Sequence, residues 1–141
     1  MSRYLGIDYG EKRIGLSLSD PLKIIASDYD VLENDNIKNV LNKLEKIIKE
    51  KEVEKIILGF PYNMNGTIGF QAEIVLNFKK ELEKFEIPII LVDERESSKK
   101  AESIMKELKV NNKKIRYTSD KKAASIILQD YLDYNYRRKN E

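Results

Sequence analysis

Asp8 closes a short apolar run, Asp93-Glu94 closes the most apolar run in the chain, and Asp120 opens an apolar-periodic stretch near the C-terminus. Carboxylates at the ends of elements are what a hard cation needs. Mg2+ takes oxygen ligands, keeps several waters, and is held by one or two carboxylates plus substrate phosphate. Two such ions ~3.5–4 Å apart stabilise both the attacking and the leaving oxygen in phosphodiester hydrolysis. The chain contains no histidine and no cysteine. That removes the commonest general base, thiolate chemistry, disulfides and zinc–cysteine sites. An enzyme with this composition works with carboxylates, lysines, hydroxyls or a hard cation, and metal-activated water replaces the general base.

Each acid also has a plainer reading. Asp8 can serve as a turn residue whose side chain bonds the backbone of Gly10 or Glu11. Asp93 and Glu94 can complement the dipole of a following helix. Asp120, flanked by Lys121 and Lys122, can be an N-cap. Alternation puts Asp93 and Glu94 on opposite faces of their strand, and periodicity does not say which one shares a face with Asp8. The combination argues for a site, because ligands of open α/β sheets bind at the carboxyl ends of strands.

The elements that must position these acids follow from pattern. Tyr4–Asp8 and Arg13–Ser19 are apolar-rich runs joined by Tyr9-Gly-Glu-Lys, which predicts a hairpin. A third strand is expected within Ile24–Leu32 after the Asp20-Pro21 break. Asn34–Asn36 offers helix caps, and Ile37, Val40, Leu41, Leu44, Ile47 and Ile48 recur at helical spacing. Glu54–Gly59 reads as a buried strand. Phe60–Gly69 reads as a loop, and a second helix carries Ala72, Val75, Leu76, Leu82 and Phe85. Pro88–Val92 is a continuous apolar run, as in a strand covered on both faces. A third helix is expected over Lys99–Leu108, then a polar, basic stretch Val110–Ser119. A last helix starts near Asp120 and carries Ala123, Ala124, Ile127, Leu128, Tyr131 and Leu132. The order β-β-β-α-β-α-β-α-α predicts an α/β fold, a mixed sheet with an antiparallel meander, βαβ crossovers and helices on its faces.

At 141 residues, 41% of them hydrophobic, the chain is long enough for one domain with its own core. That domain is read as residues 1–136, with 137–141 a frayed basic and polar tail. The net charge is only +2, but Arg95–Lys122 holds ten basic residues against four acids. Such asymmetry suits a surface that meets phosphate, although an ordinary solvated helix face has the same look. No secretory leader pattern is found, and no apolar run approaches the ~18 residues that span a bilayer. The expectation is a cytoplasmic, soluble protein with no membrane partner.

Four blocks now carry a resemblance: Gly6-Ile-Asp-Tyr-Gly-Glu-Lys-Arg-Ile-Gly15, Gly59-Phe-Pro-Tyr-Asn-Met-Asn-Gly66, Val92-Asp-Glu-Arg95 and Asp120-Lys-Lys-Ala-Ala-Ser-Ile-Ile-Leu-Gln129. In this order, over nearly the whole chain, they resemble the YqgF/RuvX family of Holliday junction resolvase-like proteins. The resemblance implies a ribonuclease H-like fold with a five-stranded mixed sheet. It implies a metal-dependent nuclease that trims the 5′ end of precursor 16S ribosomal RNA, with cleavage of branched DNA as the alternative. By position it implies Asp8, Glu94 rather than Asp93, and Asp120 as catalytic and metal-binding acids for Mg2+ or Mn2+. Glu11, where a small or hydroxyl residue is more usual, and the basic run Lys99-Lys100 depart from the family pattern.

Within that frame, Asn63 could donate to a phosphate, and the loop glycines allow close backbone approach. Lys12, Arg13, Arg95, Lys113, Lys114 and Arg116 are candidate phosphate contacts that would position a nucleic acid without reading its sequence. Tyr62 and Tyr117 could stack on unpaired bases. The partner is then RNA, or branched DNA, and the protein a monomer or homodimer. Two rivals remain. Actin-like ATP-binding proteins share the core and the Gly-Ile-Asp-x-Gly start but need two such domains. A catalytically silent RNA- or protein-binding module would have no use for three acids.

Overall fold

The structure, a computed structural model, describes residues 2–61, 69–94 and 112–139, with side chains of the last helix described for 120–138. The strands are β1 (Arg3–Tyr9), β2 (Arg13–Ser19), β3 (Ala26–Glu33), β4 (Val53–Phe60) and β5 (Ile89–Asp93). The helices are α1 (Ile37–Glu50), α2 (Phe70–Leu82), continued by a 3-10 turn at Glu83–Phe85, and α3 (Asn112–Lys139). The helix expected over Lys99–Leu108 lies outside the described residues.

The five strands form one sheet in the order β3-β2-β1-β4-β5. β1, β2 and β3 pair antiparallel, whereas β4 joins β1 and β5 joins β4 in parallel. This is the mixed sheet that the element order predicts. β1 lies at its centre, so the acid at the end of β1 has neighbours on both sides.

Alternation sorts the side chains into two layers. On one face Leu5, Ile7, Ile14, Leu16, Leu18, Ile56, Leu58 and Phe60 pack under α1 and α2. Asn36 caps α1, its side chain accepting from the backbone N–H of Asn39. Val40, Leu44 and Ile47 point inward from α1, and Ala72, Val75, Phe78 and Leu82 from α2. Phe78 is a core residue that the sequence pattern did not single out. β5 is the last strand in the order. Its apolar side chains meet both layers, Ile89 and Leu91 the first and Ile90 and Val92 the second, yet they are half-buried rather than enclosed.

The other face is built differently. Its buried apolar cluster is small: Ile57 from the sheet with Ile127, Leu128 and Leu132 from α3. Gly6, Gly15 and Gly59 supply much of the remaining surface, and they let the helix ride close. A Cβ on Gly6 would stand 2.9 Å from the Ala124 carbonyl oxygen, and one on Gly15 would stand 2.0 Å from that of Asp120. Glycine inside a strand commonly marks such an approach of another backbone. Polar contacts set the position of α3 along the sheet. The buried Ser17 hydroxyl donates to the Ala124 carbonyl at 2.8 Å. The Ser125 hydroxyl donates to the Asp28 carboxylate. Gln129 accepts from Ala26 N–H at 2.8 Å and donates to the Ile24 carbonyl at 2.9 Å.

Two expectations about the last helix need correction. α3 starts at Asn112, so Asp120 lies about two turns inside it and is not an N-cap. The basic stretch before Asp120 has no apolar periodicity, so nothing in its residue pattern marks it as helical. At the other end the helix runs on through Arg137 and Arg138 to Lys139, where a frayed tail was expected.

Candidate active site at the carboxyl end of the central strands

Asp8 is the penultimate residue of β1 and pairs with Gly15 of β2. Gly6 and Asp8 share the α3 face, since Leu5 and Ile7 belong to the opposite layer. On β5 the same rule places Ile90, Val92 and then Glu94 on the α3 face. Asp93 falls on the other face and is exposed. The backbone N–H of Glu94 still donates to the Phe60 carbonyl at 3.2 Å, which carries the β4–β5 alignment one residue past the strand. The choice between Asp93 and Glu94 is thereby made by geometry: Glu94 is the one on the face of Asp8.

Glu94 crosses β4 to reach Asp8. Gly59 lies between them, and a Cβ there would stand 2.6 Å from Glu94 Oε2 and 2.7 Å from Ile127 Cδ1. The bare backbone of Gly59 is the seat on which the Glu94 side chain rests. The two carboxyl groups are joined by a side-chain hydrogen bond. Two carboxylates cannot bond each other without a proton between them, and Glu94 holds it. Burial raises the pKa of Glu94, and the charge of Asp8 beside it, their hydrogen bond and the charge of Asp93 raise it further. Burial also pushes Asp8 up. The hydrogen bond from Glu94 pulls it down, and the negative charge of Asp120 adds to the rise.

Asp120 is brought over the sheet end by α3, its backbone seated on Gly15. Its carboxylate Oδ2 accepts from Arg13 Nε at 2.8 Å, and the two side chains are each about a quarter exposed, at 26% and 25%. Arg13 therefore meets an acid of the same protein. Lys12, its neighbour, is exposed. Among the described residues no three acidic side chains converge into a ready metal cage. Asp8 and Glu94 are the pair in contact, and Asp120, ion-paired with Arg13, acts on Asp8 through its charge.

The remaining sequence-predicted residues fall elsewhere. Asn63, Arg95, Tyr62 and Gly66 lie outside the described residues, and so do the side chains of Lys113, Lys114, Arg116 and Tyr117. Sequence reading gave no role to Gly15 and Gly59, the seats of two acids. A glycine within a strand pattern was the available signal.

The comparisons with known proteins bear on this arrangement. Residues 2–134 match the RuvX family, described as Holliday junction resolvase. The chain belongs to the RuvX family. Two relatives of this RuvX chain carry the name "Putative pre-16S rRNA nuclease". One, from Desulforamulus reducens, is 46% identical over 132 residues, covering 93% of this chain and 96% of the relative. The other, from Syntrophomonas wolfei, is 43% identical over 132 residues, covering 93% and 94%. Among solved structures, T. thermophilus RuvC in complex with Holliday junction substrate superposes with a TM-score of 0.59 at 12% identity, covering 96% of each chain. That likeness speaks for the fold, and it bears out the expected ribonuclease H-like architecture. The RuvX family is a family of nucleases, hydrolases of phosphodiester bonds. No described helix is long and apolar enough to cross a membrane.

Proposed function

We propose that this protein is a metal-dependent nuclease that processes the 5′ end of precursor 16S ribosomal RNA, with Asp8, Glu94 and Asp120 as its functional acids. The observation that carries this reading is the Asp8–Glu94 carboxyl pair at the carboxyl ends of β1 and β5, the two strands that flank β4. It is joined to family membership and to relatives named for that RNA.

The residues fit a hard divalent ion. Their donors are carboxylate oxygens, the ligand type that Mg2+ and Mn2+ take. The proton between Asp8 and Glu94 occupies a place where positive charge is needed in any case. When bound, a divalent ion supplies charge stabilisation at the scissile phosphate and an activated water. Asp8, fixed on the central strand, and Glu94, seated on Gly59, would hold such an ion, and Glu94 would give up its proton on binding. Asp120 supplies further negative charge from α3. Lys12, Arg13, Asn63, Arg95, Lys113, Lys114 and Arg116 are proposed to meet backbone phosphates and orient the strand.

The active unit is a single domain spanning residues 1–136, acting in the cytoplasm, as a monomer or homodimer. The family description favours one second reading, a resolvase of branched DNA. A resolvase that cuts two strands calls for a symmetric dimer.

The test uses the whole protein with Mg2+ or Mn2+ and two labelled substrates, a precursor ribosomal RNA 5′ leader and a four-way DNA junction, with Asp8→Asn as control. RNA cleavage lost in the control supports the ribonuclease. Paired nicking of the junction moves the assignment to resolvase. Cleavage of neither defeats both and leaves a binding module.

A further inference from the structure

Arg13 and Asp120, given separate roles above, are ion-paired with each other. Arg13 opens β2 two residues before Gly15, on the sheet face that α3 covers, and Asp120 lies over Gly15. Its Nε–H meets Asp120 Oδ2 at 2.8 Å, a distance typical of a charge-assisted bond. The pair is only partly exposed, so water screens it less than it screens a surface ion pair.

We propose that Arg13 is the internal counter-cation of Asp120, a positioning residue that holds this acid in the ion-free protein and competes with the divalent ion for it. Three acids gather at one end of the sheet and need compensation before any ion arrives. Arg13 supplies the positive charge at Asp120. A divalent ion entering between these groups meets a guanidinium already in contact with one of its prospective ligands. Arg13 therefore lowers ion affinity and ties full engagement of Asp120 to the release of that contact. A side chain serving only as a phosphate contact has no such effect when nucleic acid is absent.

This inference rests on the metal-binding reading of Asp8 and Glu94, and the experiment separates the two. Mn2+ binding to the full chain is measured by titration calorimetry without nucleic acid, for wild type, Arg13→Gln, Asp120→Asn and the double variant. Arg13→Gln is expected to tighten Mn2+ binding by about fivefold or more, the low end of ordinary coupling between sites. In the Asp120→Asn background the same change is expected to have a clearly smaller effect. Arg13→Lys, which keeps the charge, should stay near wild type. Urea unfolding in EDTA gives a reading without metal: the two single losses should be non-additive, as for residues in direct contact. Mn2+ binding that depends on Asp8 but ignores Arg13 would overturn the inference alone, as would additive losses in EDTA. Wild-type protein without Asp8-dependent Mn2+ binding would overturn the metal reading and this inference together.

Discussion

The carboxyl group of Glu94 hydrogen-bonds the carboxylate of Asp8 across the bare backbone of Gly59. The two residues are 86 positions apart in sequence. They meet because β1 and β5 flank β4 in the sheet and because β4 has no side chain at the point of crossing.

Gly59→Ala should therefore damage the site and the fold together. The added Cβ would need the Glu94 carboxyl and Ile127 to move from 2.6 and 2.7 Å. Overpacking of this kind costs about 1–3 kcal/mol. Urea unfolding should show that loss, and nuclease activity should fall by more than the unfolded fraction accounts for, because Glu94 is displaced. Unchanged activity would mean that Glu94 is not needed where it stands.

The raised pKa of Glu94 predicts the sign of a pH effect in ion-free protein. The ordinary value is 4.5, and the folded protein holds the proton to higher pH. Between the two values the native state binds more protons than the unfolded chain, so stability falls as pH rises through that window. The contribution is fully present below 4.5. In EDTA, lowering the pH from 8 toward 5 should stabilise wild type relative to Glu94→Gln. Parallel curves for the two proteins would remove the shared proton.

Bound ion should reverse that trend, since it takes the place of the proton and its affinity then rises with pH. Mn2+ at 100 times its dissociation constant should stabilise wild type by about 2.7 kcal/mol. Asp8→Asn should show little of this shift, and its nuclease activity should drop by more than about 100-fold, beyond the loss typical of outer-shell changes. Thermal melts with and without Mn2+ provide the check. Equal shifts in both proteins would place the ion elsewhere.

The basic segment from Arg95 to Lys122 yields a prediction from charge alone. Replacing Lys113 and Lys114 by alanine should weaken RNA binding to a similar degree across sequences. It should also reduce the salt slope by about one unit per lysine removed. Filter binding at several salt concentrations measures both. Undiminished affinity would take these lysines off the nucleic-acid surface.

Much of this protein is legible along the chain because its signals are local. The alternation of Leu5, Ile7, Ile14 and Leu16 marks strands. Asn36 marks the start of α1, and Val40, Leu44 and Ile47 mark its inner side. The family blocks around Asp8, Glu94 and Asp120 are read in the same linear way. Absence of histidine and cysteine constrains the chemistry whatever the fold.

Other features needed three dimensions. Two-residue periodicity separates Asp93 from Glu94 but does not label the faces. The label comes from α3 packing on the side of Gly6, Gly15 and Gly59, a long-range contact with no local trace. Asp120 reads as a cap because the eight residues before it lack an apolar stripe. In the folded protein it sits inside the helix, held over Gly15 and bonded to Arg13 from 107 residues away. Residue types and their order decided which acids this protein has. Packing of one helix on a glycine-lined face decided which of them meet, because burial and Coulomb energy depend on distance in space, and separation along the chain does not report it.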